Sequence, residues 1–131
     1  NAIFLPHVIN YNAKKPVKHA LFPKYESFRA DEDFAEIARA LNLPAKTTEE
    51  GVASLVKAVT ELAEDIGIEM SLKANGATLE HLEKTIDTLA DRAYEDQCTP
   101  ANPKQPLVSE LKALIRDAFE GELDYSEKHA K

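Results

Sequence analysis

Residues 47–67 read TTEEGVASLVKAVTELAEDIG, and this stretch constrains the fold more than any other. Val52, Leu55, Val56, Val59, Leu62, Ala63 and Ile66 recur at spacings of three and four, which puts them on one face of a helix. Thr47 and Glu50 have capping-box spacing, in which each side chain satisfies the other's free backbone N–H. Gly67 follows the last apolar position, where a left-handed cap residue belongs. One long amphipathic helix has to bury its stripe, so the rest of the chain must supply partners for it.

The partners are also helical. Turn residues Asn75-Gly76 and the cap candidate Thr78 open a second helix over 78–95, with Leu79, Leu82, Ile86, Leu89, Ala90 and Ala93 as its stripe. A third starts near Gln105 with Pro106 in its first turn, buries Leu107, Val108, Leu111, Leu114, Ile115, Ala118 and Phe119, and stops at Gly121. A shorter one covers about 31–41, with Phe34, Ile37, Ala38 and Leu41 inward and Asn42 and Pro44 ending it. Residues 1–11 read as helix bent at Pro6. Residues 12–30 are irregular, and from Glu122 the chain is polar and is expected to fray. No alternating strand pattern stands out. The expected fold is all-α, about five packed helices around the 47–67 helix.

Composition narrows function. The 131 residues are 44% hydrophobic and 30% charged, enough for one globular domain. A net charge of −7 argues against nucleic acid, because phosphate neutralisation needs a basic face. The longest charge-free apolar stretch, 1–13, is too short to cross a bilayer, so no membrane partner is expected. Cys98 is the only cysteine, which excludes an internal disulfide and suits a cytoplasmic setting. The chain lacks Met at position 1 and opens on an apolar run, which reads as a start inside a structural element.

No catalytic constellation declares itself. His7, His19, His81 and His129 are not spaced as a helical metal site requires. His81 and His129 read as solvated, and His7, among apolar residues, as a packed side chain rather than a ligand. The carboxylate pairs Glu49/Glu50, Glu64/Asp65 and Glu95/Asp96 fall at helix ends or outer faces, and the four glycines read as isolated caps and turns. The stretch YEDQCTPANPKQP, residues 94–106, is different. It puts a lone cysteine in a polar loop between two long helices, and loops gather at functional faces.

NAIFLPHVINYNA and DQCTPANPKQPLVSELK resemble two signature stretches of the iron-containing (group III) alcohol dehydrogenases. The form most resembled is the alcohol dehydrogenase half of the bifunctional aldehyde-alcohol dehydrogenases. FAEIARALNL, LAEDIGIEMSL and LADRAYEDQC fall between them in the expected order. The resemblance implies that residues 1–121 are the C-terminal part of a metal-bearing helical domain and 122–131 a polar tail. It implies an NAD(H)-linked enzyme interconverting short-chain aldehydes, such as acetaldehyde, and alcohols. In that family iron polarises the carbonyl oxygen and hydride passes from the nicotinamide.

The implied iron ligands and dinucleotide site lie upstream, the last ligand in a Pro-His-Gly just before Asn1-Ala2. No residue of this chain, His7 included, is therefore an expected ligand or catalytic residue, and the chain alone is expected to be inactive, with neither NAD nor Fe2+ bound. Cys98, Thr99 and Asn102 match a loop lining the substrate and cofactor cavity. Pro100 stands where Gly is usual, Lys104 where Arg is usual and Gln105 where Tyr is common, which bears on that loop's geometry. The implied partners are the dinucleotide-binding domain and metal-bearing helices of the same enzyme, in a homo-oligomer or filament. The alternative is a self-contained, non-catalytic helical interaction module.

Overall fold

A computed structural model describes residues 1–16 and 26–123. His19, Pro23, His129 and most of the tail expected to fray lie outside them. Among the described residues there are five α-helices, one 3-10 turn and no strand. They run α1 Leu5–Ala13, α2 Ala30–Ala40, α3 Thr48–Asp65, α4 Leu79–Glu95, the turn Thr99–Ala101 and α5 Val108–Glu120. The all-α expectation holds.

The helix ends follow the local chemistry. The Thr47 hydroxyl accepts the Glu50 N–H at 3.1 Å, and the Thr78 hydroxyl accepts the His81 N–H at 3.2 Å. The return arm of the capping box is shifted by one residue: the Glu50 carboxylate accepts from the N–H of Lys46, not Thr47. α2 and α3 both end in paired C-terminal hydrogen bonds. Asn42 N–H donates to Arg39 O and Leu43 N–H to Ala38 O; Gly67 N–H donates to Glu64 O and Ile68 N–H to Ala63 O. The left-handed residues that permit this are Asn42, φ 57°, and Gly67, φ 82°. Pro6 falls in the first turn of α1, where its missing N–H has no helical partner to lose, so the helix starts at Leu5 and the expected bend is replaced by a start. α5 begins three residues later than expected. Leu107 is extended, and its N–H is taken by the Glu110 carboxylate at 2.8 Å, which places the first turn after Pro106.

Packing forms two apolar clusters. Ile9, Ala38, Val52, Leu55 and Val56 join α1, α2 and α3; Leu82, Ile86, Ala90, Ile115 and Phe119 join α4 and α5. Phe4, at the start of α1, packs against the second cluster while Ile9 sits in the first, so α1 belongs to both.

Several stripe residues expected to be buried are exposed. In α2, Ile37 is 47% and Leu41 58% exposed, whereas Ala35 and Ala38 are fully covered. The reason lies in Gly51. It is not a cap or turn glycine as its isolation suggested, but a buried residue inside α3. A Cβ there would stand 2.9 Å from the Ala35 Cα. The two backbones approach so closely that the contact runs through the smallest side chains, and Ile37 and Leu41 are left outside it. In α3, Leu62 is 63% and Ile66 68% exposed, because its buried residues cluster at Gly51–Val56 and Ala63. Leu79, Leu89 and Leu107 are exposed as well.

Candidate functional site: the loop between α4 and α5

The segment 96–107 is tied down at both ends. At its start the Asp96 carboxylate accepts the Cys98 N–H at 2.8 Å, and the Thr99 hydroxyl donates to the Ala93 carbonyl at 2.6 Å. The first bond closes a turn within the loop, the second fastens it to the last turn of α4, and the Thr99–Ala101 turn begins there. Cys98 is a free, exposed thiol.

The second half is held by α1, ninety residues away in sequence. Asn12 and Asn102 exchange reciprocal amide hydrogen bonds of 3.0 and 2.8 Å, and Asn102 also donates to the Lys104 carbonyl at 2.7 Å. The Lys104 ammonium donates to the Lys14 carbonyl at 2.9 Å, just past the C-terminal end of α1, where the helix dipole favours a cation. It also lies 3.9 Å from the centre of the Tyr11 ring. The Tyr11 hydroxyl in turn donates to Glu110 at 2.9 Å, and the same carboxylate oxygen accepts the Leu107 N–H. Asn12, Asn102, Lys104, Tyr11 and Glu110 thus make one polar clasp between α1, the loop and α5.

Its electrostatics follow from burial. Lys104 is only 7% exposed, and among the described residues no carboxylate pairs with it. Burial pushes its pKa down to about 8, with Glu110 opposing the shift and Lys14 adding to it. Burial raises the Tyr11 hydroxyl well above the ordinary phenol, and its bond to Glu110 and that carboxylate's charge push the same way. His7 is 1% exposed, and burial lowers its pKa to about 4, so it is a neutral packed imidazole at pH 7. His81 is exposed on α4.

Of the three loop residues singled out in the sequence, Cys98 is open to solvent, Thr99 binds α4 and Asn102 binds α1. A groove of about 320 Å3 runs between Asn10, Leu123 and the α3 residues Ala53 to Glu61, and a hollow of about 410 Å3 lies beside Phe28, Arg29 and Pro103. Neither is lined by Cys98, Thr99 or Asn102. Among the described residues no three His, Cys, Asp or Glu side chains gather in one place. Sequence reading missed Tyr11, Asn12, Lys104 and Glu110 as a group. No local pattern links NYN in α1 to NPK in the loop; the one cue was a lysine flanked closely by prolines.

The model of the Fe-containing alcohol dehydrogenase family, C-terminal, matches residues 1–119. The chain is 50% identical over 121 residues to an aldehyde-alcohol dehydrogenase of Streptococcus pneumoniae serotype 4, covering 92% of this chain and 14% of that protein. It is 36% identical over 130 residues to the bifunctional aldehyde-alcohol dehydrogenase of Escherichia coli K12, covering 97% and 14%. Over 126 residues it is 32% identical to an NADPH-dependent butanol dehydrogenase of Clostridium saccharobutylicum, covering 95% and 29%. The chain thus spans between a seventh and a third of the length of these curated relatives. With a family match over nearly all its residues and an all-helical fold, the chain belongs to the Fe-containing alcohol dehydrogenase family, as its C-terminal part.

Proposed function

We propose that this chain is the C-terminal helical segment of an iron-dependent, NAD(H)-linked alcohol dehydrogenase that interconverts short-chain aldehydes, such as acetaldehyde, and their alcohols in the cytoplasm. The observation that carries the reading is the family match over residues 1–119, together with 50% identity to a protein named aldehyde-alcohol dehydrogenase. Iron and the dinucleotide belong to other parts of that enzyme. This segment contributes a wall of the substrate and cofactor cavity through Cys98, Thr99 and Asn102, and by itself is inactive.

The surface supports a segment made to be covered. Leu62 and Ile66 are one helical turn apart on α3, and both are more than 60% exposed. Under this reading the rest of the same enzyme, or a further copy of it in an oligomer or filament, packs there. A self-contained module has less reason to leave that face open. No described helix is long and apolar enough to cross a membrane.

The test is NADH oxidation with acetaldehyde. The whole protein carrying this segment should consume NADH in an Fe2+-dependent way, and the 131-residue chain should not, with Fe2+ or Zn2+ present. No consumption by the whole protein would refute the dehydrogenase assignment. Turnover, or stoichiometric metal binding, by the short chain would refute its inactivity.

A further inference from the structure

We propose that Lys104 is a positioning residue for the aldehyde-reducing reaction: held between the Tyr11 ring and the Lys14 carbonyl, it locks residues 96–107 onto the end of α1 and so sets the place of Cys98 and Thr99. The proposal rests on the dehydrogenase reading above.

The geometry argues for it in three ways. First, the loop has two anchors of different kinds. Thr99 ties its first half to α4, which it directly follows, whereas Asn102 and Lys104 tie its second half to α1, which is remote in sequence. The short turn bearing Thr99 is suspended between them, and replacing Lys104 leaves its remote end held by the Asn12–Asn102 pair alone. Second, the ammonium is a costly way to fill the space. It is buried with no described carboxylate within ion-pair distance, and its compensation is one carbonyl, one aromatic face and the charge of Glu110 beyond that distance. An apolar side chain of similar volume would fill that space without desolvating a charge, which points to a role in holding geometry. Third, the anchors act together. Asn102 donates to the Lys104 carbonyl while bonding Asn12, so the backbone at 102–104 is fixed from both sides, and Glu110 orients the ring under the ammonium through Tyr11.

An arginine should serve in the same place. Its guanidinium stacks on an aromatic face and donates to a carbonyl, and it stays charged. A methionine fills the volume but does neither. The experiment uses the whole protein with Lys104→Met and Lys104→Arg, and reads melting temperature, hydrogen exchange of peptides covering 96–107, and aldehyde reduction.

The expected result for Lys104→Met is an unlowered melting temperature, exchange in the loop faster by about tenfold with α3 unchanged, and an aldehyde KM raised about tenfold with kcat changed less. Lys104→Arg should restore exchange and KM to within about threefold of the original. Unchanged exchange in Lys104→Met would overturn the clasp. Faster exchange with an unchanged KM and kcat would overturn the positioning role, leaving Lys104 merely structural, as would a methionine variant rescued no better by arginine. Absence of turnover in the unsubstituted protein would instead defeat the dehydrogenase reading, and the positioning role would fall with it.

Discussion

At the scale of single residues, the buried titratable groups decide how the fold responds to pH. His7 has a folded pKa of about 4 against 6.5 unfolded. The unfolded chain therefore binds more protons between those values, and stability falls as the pH drops through that window. The shift corresponds to roughly 3 kcal/mol at most. Urea unfolding at pH 7 and pH 4.5 should show a lower midpoint at the lower pH, with the loss diminished in a His7→Gln variant. Lys104 acts with the same sign at the other end. Its folded pKa of about 8 lies below the ordinary 10.5, so stability should rise as pH climbs from 8 towards 10.5. Lys104→Met should flatten that rise, measured as the urea midpoint against pH. A variant that keeps the original slope would show that another group carries it. The sequence marked His7 as packed because apolar residues surround it in the chain. It gave no sign that Lys104 is buried, since its neighbours in sequence are polar residues and prolines and its cover comes from α1.

At the scale of elements, the helices were legible because their causes are local. Periodicity, a threonine cap and a left-handed residue all act within a few positions, and α3 and α4 run where those signals put them. Thr47→Ala should cost about 1 kcal/mol by freeing the Glu50 N–H, seen as a lower melting temperature. The buried residues of α4 and α5 also lie on the stripes read from the sequence; what was not legible is how α2 would meet α3. The stripe of α2 suggested Phe34, Ile37, Ala38 and Leu41; Ala38 and Phe34 do pack into the first cluster, but Ile37 and Leu41 are exposed, because Gly51 admits a close approach that draws in Ala35 instead. The decisive residue sits on the other helix, beyond the reach of any pattern in α2. Gly51→Ala should be destabilising by about 1–3 kcal/mol, since its methyl would stand 2.8 Å from the Ala35 Cβ and against backbone. A thermal melt reads this directly, and an unchanged melting temperature would mean that the two helices separate easily.

At the scale of the whole molecule, α1 joins two apolar clusters by Phe4 and Ile9 and fastens the α4–α5 loop by Tyr11 and Asn12. The exposed pair Leu62 and Ile66 lies apart from this work. Replacing both by lysine should change the stability of the 131-residue chain little, within about 0.5 kcal/mol per site by urea unfolding. In the whole protein the same double change should weaken assembly, seen as altered elution on size exclusion and reduced NADH turnover. Normal assembly and turnover would show that nothing covers this face.

Helix type, the all-α class and the ends of α3 and α4 were written in the chain, because backbone hydrogen bonds, caps and apolar spacing are settled between residues a few positions apart. Family membership was readable too, through the two signature stretches at 1–13 and 96–112. The close contact of α2 with α3, the exposure of Leu62 and Ile66, and the clasp that buries a lysine against a tyrosine ninety-three positions away came only with the folded chain. Burial and dielectric belong to what surrounds a group in space, and for these residues the surroundings are supplied by distant parts of the sequence.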